Sequence, residues 1–171
     1  MPRLLAHAVF GTRRYMERRI GALARDCRGL RVLELGSGKR TRGGHAYSVK
    51  EMFDPSNDFI QSDVVADYGH PLVDVTTMGF KEEFDLVLCL NILEHVYDFA
   101  PAVRNVHRAV RPGGRAVFVV PGFYPLHDEP SDFWRFTEHG LRRLLADFSH
   151  VLIDHHGPRR YPFAYLAVVK K

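Results

Sequence analysis

The chain has 171 residues, of which 46% are hydrophobic and 26% are charged, and its formal net charge is +4. These values are typical of one globular domain with a substantial buried core. The two cysteines form neither a disulfide framework nor a zinc spacing, so we expect no bound metal. No apolar run approaches the ~20 residues of a membrane span, and the N-terminus lacks a secretory pattern. We therefore expect a reduced, cytoplasmic compartment.

The first predicted element is a helix over residues 3 to about 25, in which apolar residues follow one stripe with arginines between them. We divide the chain into residues 1–28, a basic amphipathic helix, and residues 29–171, the functional domain. Only Glu17 and Asp26 offset the arginines of the first segment. A basic face can meet nucleic acid, an anionic lipid surface or an acidic substrate, and a plain solvated helix face is the alternative explanation.

After residue 30, short apolar runs alternate with helical periodicity. Asp98 and Thr137 are predicted N-caps of two helices, and the RPGG stretch at 111–114 ends the first of them. The predicted strands are 31–35, 59–62, 72–75, 84–90, 116–120, 151–154 and 163–169. This alternation predicts an α/β fold: a doubly wound, Rossmann-like, mostly parallel sheet with an antiparallel last strand and helices on both faces. In such sheets ligands bind beyond the carboxyl ends of the strands, where the strand order reverses.

The first predicted strand leads into a glycine turn in the sequence RVLELGSGKR, residues 31–40. A phosphate-binding P-loop would need a glycine in place of Leu33 and a hydroxyl in place of Arg40, so Lys39 does not complete that motif. A dinucleotide fingerprint would need a third glycine in place of Thr41 and a regular helix after it. S-adenosylmethionine carries no phosphate, and its recognition makes neither demand.

The residues that S-adenosylmethionine does require are present. Gly36 and Gly38 permit close approach of a ligand to the backbone because they lack a β-carbon. Asp63 closes the second predicted strand, where a carboxylate can bind the ribose hydroxyls. Asp74 and Val75 end the third predicted strand, where an adenine would lie.

Four motifs in order extend this argument to a family. VLELGSGK, the strand-ending Asp63, FDLVLCLNILEHVYD and AVRNVHRAVRPGGRAVFVVP together resemble the class I S-adenosylmethionine-dependent methyltransferases of the small type-11 branch, over about residues 30 to 170. The chain departs from the family at Arg40, where a glycine is usual. Glu34 and Asp74 also have a structural alternative, as caps of neighbouring backbone groups. The residues that the resemblance assigns to the cofactor are Glu34, Gly36, Gly38, Asp63, Asp74, Val75, Leu90 and Asn91.

Residues 121–141 follow the fifth predicted strand and can therefore reach over the cofactor. Aromatic residues beside a few polar groups are typical of an apolar pocket with orienting contacts, so we expect Tyr124, Trp134 and Arg135 to bind substrate. In the alternative, Trp134 fastens the loop to the core and Arg135 pairs with Asp132. The segment HDEPSDFWRFT resembles one in type-11 proteins near surface-polysaccharide and glycolipid genes, which implies a glycan or lipid-linked sugar as acceptor.

The expected reaction is methyl transfer by in-line displacement to a small-molecule, glycan or glycolipid acceptor. If the acceptor is a hydroxyl, a base must remove its proton. His127 is the first candidate, oriented by Asp128 or Asp132, and His95 is the second. An amine or carboxylate acceptor would need no strong base.

The sequence leaves three other functions to consider. The first is a non-catalytic S-adenosylmethionine-binding or scaffold protein. The second is a nicotinamide dehydrogenase, which Arg40 and Thr41 disfavour. The third is an RNA methyltransferase, whose Asn/Asp-Pro-Pro-aromatic motif is missing, so we do not expect a nucleic-acid partner. The acceptor atom, the oligomeric state and peripheral membrane contact stay open.

Overall fold

The computed structural model describes residues 2–39 and 47–171. The described residues form three α-helices and a six-stranded sheet. The helices are α1 (Pro2–Ala24), α2 (Phe99–Ala109) and α3 (Glu138–Leu144). The strands are β1 (Arg31–Leu35), β2 (Asp58–Gln61), β3 (Phe84–Leu90), β4 (Val110–Pro121), β5 (His150–His156) and β6 (Ala164–Lys170). The predicted α/β class is confirmed.

The sheet order is β2-β1-β3-β4-β6-β5. β1 pairs in parallel with both β2 and β3, and β3 pairs in parallel with β4. β6 is antiparallel to both of its neighbours, β4 and β5, as a helix-free connection predicts. The chain leaves β1 towards one edge and returns to β3 on the other side, so the strand order reverses between β1 and β3.

The two faces of the sheet have separate cores. β3 is buried along its length up to Leu90, because helices cover both of its faces. Leu86 and Leu88 pack on the face that α1 covers, whereas Val87 and Cys89 pack on the face that α2 and α3 cover. Helices on both faces are therefore confirmed.

The N-terminal helix forms at its predicted place and lies against the sheet. Its residues Tyr15, Met16 and Ile20 are buried in the same cluster as the sheet residue Leu88. Gly11 falls where α1 approaches β5, since a β-carbon there would come within 2.7 Å of His156 Nε2. The division into residues 1–28 and 29–171 stays a prediction. Among the described residues, no helix combines the length and hydropathy that a membrane crossing requires.

The predicted third strand, 72–75, is not a regular strand. Within the described residues this segment forms one isolated parallel bridge, between Asp63 and Leu72. The reason lies at Asp74, whose carboxylate accepts hydrogen bonds from the Thr76 amide and hydroxyl, both at 2.7 Å, and so favours a turn. The helix α3 begins as predicted, because the Thr137 hydroxyl accepts a hydrogen bond from the Gly140 amide at 3.1 Å.

We expect the substitution Ile20→Ala to lower the free energy of unfolding by about 2–5 kcal/mol, because it opens a cavity between α1 and the sheet. Urea denaturation measures this loss. Leu152→Ala is the matched control, since that side chain is 73% exposed and its truncation should change stability by less than about 0.5 kcal/mol. Equal midpoints for the two variants would show that α1 does not pack on the sheet.

Candidate active site

A cavity lies at the reversal of strand order. Because β1 and β3 are parallel neighbours with Leu35 opposite Cys89, their carboxyl ends bring Gly36 and Asn91 to the same edge. The cavity there has a volume of about 460 Å³, within the size range of small-molecule sites. Its lining residues are Thr12, Arg13, Met16, Gly36, Tyr47, Leu90, Asn91, Ile92, Glu94, His95, Pro121, Tyr124, His127, Asp128 and Ala164.

The glycine turn contributes Gly36 to the cavity lining, and its backbone requires both glycines. Gly36 and Gly38 have φ values of 67° and 70°, a left-handed conformation that other residues adopt only with strain. A β-carbon on Gly36 would collide with Ile92 Cδ1, and one on Gly38 would lie 2.5 Å from Tyr47 Cδ2. A side chain at either position would therefore collide with a neighbouring residue, so the turn requires glycine at both.

Asp63 holds the turn in place. Its Oδ2 accepts the Gly38 amide at 2.8 Å, while Oδ1 accepts the amides of Val64 and Val65 at 2.8 and 3.1 Å. The carboxylate is 5% exposed. Three of its approximately four lone-pair sites are thus occupied, and the one that remains lies on the oxygen that faces the turn.

Glu34 lies behind the turn and is 1% exposed. Its carboxylate accepts hydrogen bonds from the hydroxyls of Ser37 and Ser48 and from the Val49 amide. Burial raises its pKa, and these hydrogen bonds partly offset that effect. The contacts match the structural alternative, in which Glu34 caps neighbouring groups: it binds Ser37 before residues 40–46 of the sequence and Ser48 and Val49 after them.

Among the other predicted cofactor residues, Leu90 and Asn91 line the cavity. Asn91 has a φ of 53°, which ends β3 sharply at the cavity edge. Asp74 is exposed in its turn, and Val75 is buried in the core with its carbonyl accepting from Asn105 Nδ2 at 2.9 Å. The described lining of the cavity includes none of Glu34, Gly38, Asp63, Asp74 and Val75.

The segment 121–136 contributes Pro121, Tyr124, His127 and Asp128 to the cavity lining and is fastened by one arginine. Arg135 donates to both carboxylate oxygens of Asp132, at 2.6 and 2.7 Å. Its other hydrogen bonds go to the carbonyls of Tyr124, Pro125 and Trp134. These bonds use all five N–H donors of a guanidinium. Arg135 therefore spends its hydrogen-bonding capacity on the loop itself.

Asp132 connects this arginine to His127. Its Oδ2 accepts the His127 backbone amide at 2.9 Å and lies 3.4 Å from the ring Nδ1. The Arg135 guanidinium, hydrogen-bonded to Asp132, holds the pKa of that carboxyl well below its usual range, so Asp132 is ionised. The Pro125 carbonyl oxygen lies 3.3 Å from the same ring nitrogen, and two acceptors at Nδ1 favour the tautomer whose Nε2 carries the lone pair.

His95, His127 and Tyr124 form a row of rings in the cavity. The His95 and His127 ring centres are 5.0 Å apart, and those of Tyr124 and His127 are 5.2 Å apart, both edge to face. His95 Nδ1 lies 2.7 Å from the Ser131 carbonyl oxygen. The two histidines named from the sequence are therefore brought together, although 32 positions separate them along the chain.

Trp134 does not belong to this row. Its indole N–H donates to the Tyr97 carbonyl at 3.1 Å, and its ring lies 5.3 Å from that of Phe99, edge to face. The backbone amides of Phe133 and Trp134 both reach the Glu94 carbonyl, at 2.8 and 3.3 Å. These contacts match the alternative in which Trp134 fastens the loop.

Sequence reasoning missed Glu94 and the contribution of α1. Glu94 is 1% exposed, and its Oε2 has no hydrogen-bond partner among the described residues. Burial raises the pKa of Glu94 to about 8. The pKa of Tyr124 is also raised, first by the burial of its own hydroxyl and then by the negative charge of Glu94. Its position in the LEH motif, beside His95, was an available signal. From α1, Thr12, Arg13 and Met16 line the cavity, which periodicity alone could not assign.

A second cavity, of about 560 Å³, lies beside β2 and is lined by residues that include Ser48, Gln61 and His70. None of the site residues predicted from the sequence lines it. The cavity at the strand reversal is therefore the candidate active site.

Comparisons of this chain with known proteins find similarity to methyltransferases. Residues 50–118 match the type-11 family described as "Methyltransferase domain". The ubiquinone biosynthesis O-methyltransferase of Pseudomonas syringae pv. tomato is 37% identical over 59 residues, which make up 34% of this chain and 25% of that protein. The chain thus spans about a quarter of the length of the curated relatives it matches.

Solved structures share the fold. The N-methyltransferase NodS from Bradyrhizobium japonicum superposes with a TM-score of 0.66 at 17% identity, over 93% of this chain and 96% of that one. The Haemonchus contortus phosphoethanolamine N-methyltransferase 2, solved with S-adenosyl-L-methionine, gives a TM-score of 0.69 at 13% identity, over 92% and 52% of the two chains.

The close contact between Gly36 and Ile92 predicts a difference in the free energy of unfolding between two glycine variants. Gly69 has a φ of 77° with open space around it, so Gly69→Ala should cost only the strain of the left-handed backbone, about 1–2 kcal/mol. Gly36→Ala should cost more, because Ile92 must also move. Urea denaturation of both variants measures the difference, and equal losses would contradict the close approach of Ile92 to Gly36.

The loop gives a second test. We expect Arg135→Lys to lower the free energy of unfolding by about 1–3 kcal/mol, because lysine cannot make the bidentate bond and leaves carbonyls without a donor. Arg142→Lys is the control, since Arg142 makes an exposed pair with Glu138 at 3.3 Å, worth less than about 1 kcal/mol. Thermal denaturation that ranks the two variants alike would show that Arg135 does not hold the loop.

Proposed function

We propose that this chain, which belongs to the class I S-adenosylmethionine-dependent methyltransferases, transfers a methyl group to a hydroxyl of a small molecule, glycan or lipid-linked sugar. One observation carries the proposal. Gly36 of the glycine turn and the row of Tyr124, His95 and His127 line a single cavity at the reversal of strand order. A cofactor held at the turn would therefore present its reactive end to titratable side chains.

The turn fits the cofactor. Gly36, Leu90 and Asn91 border the cavity together at the carboxyl ends of β1 and β3, which suits the amino-acid end of S-adenosylmethionine. Asp63 Oδ2 keeps one lone-pair site for a ribose hydroxyl after it has bound Gly38. We assign Glu34 a positioning role behind the turn. The assignment of Asp74 and Val75 to the adenine rests on the family resemblance alone.

When bound, S-adenosylmethionine supplies a methyl group that its sulfonium already makes electrophilic. The protein then contributes alignment, exclusion of water and proton removal. His127 is the base of this proposal: Asp132 faces its Nδ1 at 3.4 Å, so Nε2 is the nitrogen that takes the acceptor proton. His95 lies next to it. Arg135 and Trp134 keep the loop in place and act as positioning residues instead of substrate contacts.

The acceptor class rests on the family resemblance, and the walls of the cavity are compatible with it. Tyr124 gives the cavity an aromatic surface, and Arg13 of α1 lines it as part of an ion pair with Glu17 at 2.7 Å. Arg14 and Arg18 are exposed on α1, and Arg25 is exposed just after it. These exposed arginines are compatible with contact to an anionic lipid surface. Cys27 and Cys89 are both buried and unbridged, as we expect for a protein of the cytoplasm.

We expect His127→Ala to lower kcat for a hydroxyl acceptor by about 10²–10⁴-fold, the usual contribution of a general base. Affinity for S-adenosylmethionine, measured by calorimetry, should not change, because the glycine turn is untouched. His139→Ala, on the exposed side of α3, is the matched control and should keep full activity. Cofactor binding without methyl transfer to a panel of glycans and phenols would favour a non-catalytic protein instead.

A further inference from the structure

Three side chains in the cavity are placed as a set of metal ligands. One ligand atom from each of Glu94, His95 and His127 lies within 4.8 Å of the other two. Two imidazoles with one carboxylate are a common protein ligand set for Zn²⁺ and for other divalent transition metals that keep open coordination positions.

The buried carboxylate points to a missing partner. Glu94 is 1% exposed, and its Oε2 is buried without a hydrogen-bond partner among the described residues. Because burying a polar oxygen without a partner costs free energy, such atoms are rare in folded proteins. A cation between Glu94 and the two histidines would supply the partner.

Both histidines are oriented as metal ligands usually are. His95 Nδ1 lies 2.7 Å from the Ser131 carbonyl oxygen, and His127 Nδ1 lies 3.3 Å from the Pro125 carbonyl and 3.4 Å from Asp132 Oδ2. Acceptors at Nδ1 favour the tautomer whose Nε2 carries the lone pair. A carbonyl or carboxylate behind the ring is the usual second contact of a metal-bound histidine.

We propose that Glu94, His95 and His127 bind a divalent transition-metal cation of the Zn²⁺ class at the edge of the cavity. Ligand atoms around Zn²⁺ at about 2.0–2.2 Å lie roughly 3.4 Å apart, so atoms that lie within 4.8 Å of one another need to approach by at most about 1.4 Å. All three residues line the cavity, so open coordination positions would face a bound acceptor.

The inference rests on the proposed function and changes its proton step. A cation here would bind the oxygen of the acceptor hydroxyl and lower the pKa of that hydroxyl. The proton then leaves to solvent, the oxygen attacks the methyl carbon, and the bond electrons of the departing methyl stay on sulfur. His127 is a ligand in this state, and it acts as the base only when no cation is bound.

Calorimetric titration of the full chain with ZnCl₂, after treatment with a chelator, tests the inference without substrate. We expect one site whose affinity falls at least about tenfold in Glu94→Gln and in His127→Ala, while His139→Ala binds as the wild type. Co²⁺ should give visible absorption typical of a low-coordinate nitrogen–oxygen site. Mg²⁺, which prefers oxygen ligands, should bind more weakly. Thermal denaturation checks that each variant folds, and His95→Asn replaces Glu94→Gln if that variant does not.

The results separate the two proposals. Equal Zn²⁺ affinity of wild type and Glu94→Gln, or no binding by the wild type, overturns the cation site. Methyl transfer that resists chelators would then still support the proposed function with His127 as base. Zn²⁺ binding that depends on Glu94, in a protein without methyl transfer to any acceptor, would uphold the site and overturn the proposed function.

Discussion

The bidentate bond between Arg135 and Asp132 is the interaction on which the candidate site depends. It gives the connection after β4 a fixed path, because the same guanidinium also binds three carbonyls of that connection. Asp132 in turn fixes both the backbone and the ring of His127. A loop without helix or strand thereby presents a side chain as firmly as a regular element would. Loops at the carboxyl edge of a parallel sheet commonly carry function, and a rigid scaffold beneath them gives the precision.

The turn after β1 is also held by carboxylates, which here accept hydrogen bonds from backbone amides and a serine hydroxyl instead of from a guanidinium. Asp63, from beyond β2, binds the Gly38 amide, and Glu34 binds groups on both sides of the turn. Two acidic residues that resemble cofactor ligands therefore also shape the backbone that would surround the cofactor. The two roles do not conflict, since a carboxylate has more acceptor sites than these contacts use. A preorganised turn lowers the entropy that ligand binding must otherwise oppose.

The sequence predicts the order of elements well because helix caps and buried strands depend on local patterns. Thr137 and the run 84–90 are examples, and both are where periodicity places them. The segment 72–75 differs, because hydrogen bonds from Thr76 to Asp74 turn the chain where an apolar pair indicated a strand. The site is harder to predict, since it depends on contacts between distant segments. Both histidines are evident as titratable residues, whereas the burial of Glu94 follows only from the loop above it.

The helix α1 has two duties that cannot be separated. It covers one face of the sheet, where Ile20 is 1% exposed. It also contributes Thr12 and Met16 to the lining of the cavity. A shortened protein that started at residue 29 would therefore expose an apolar face of the sheet to solvent and would also lose part of the cavity lining. Engineers who wish to reshape acceptor preference have in this helix a surface that they can vary without touching the strands, provided that its inner stripe stays intact.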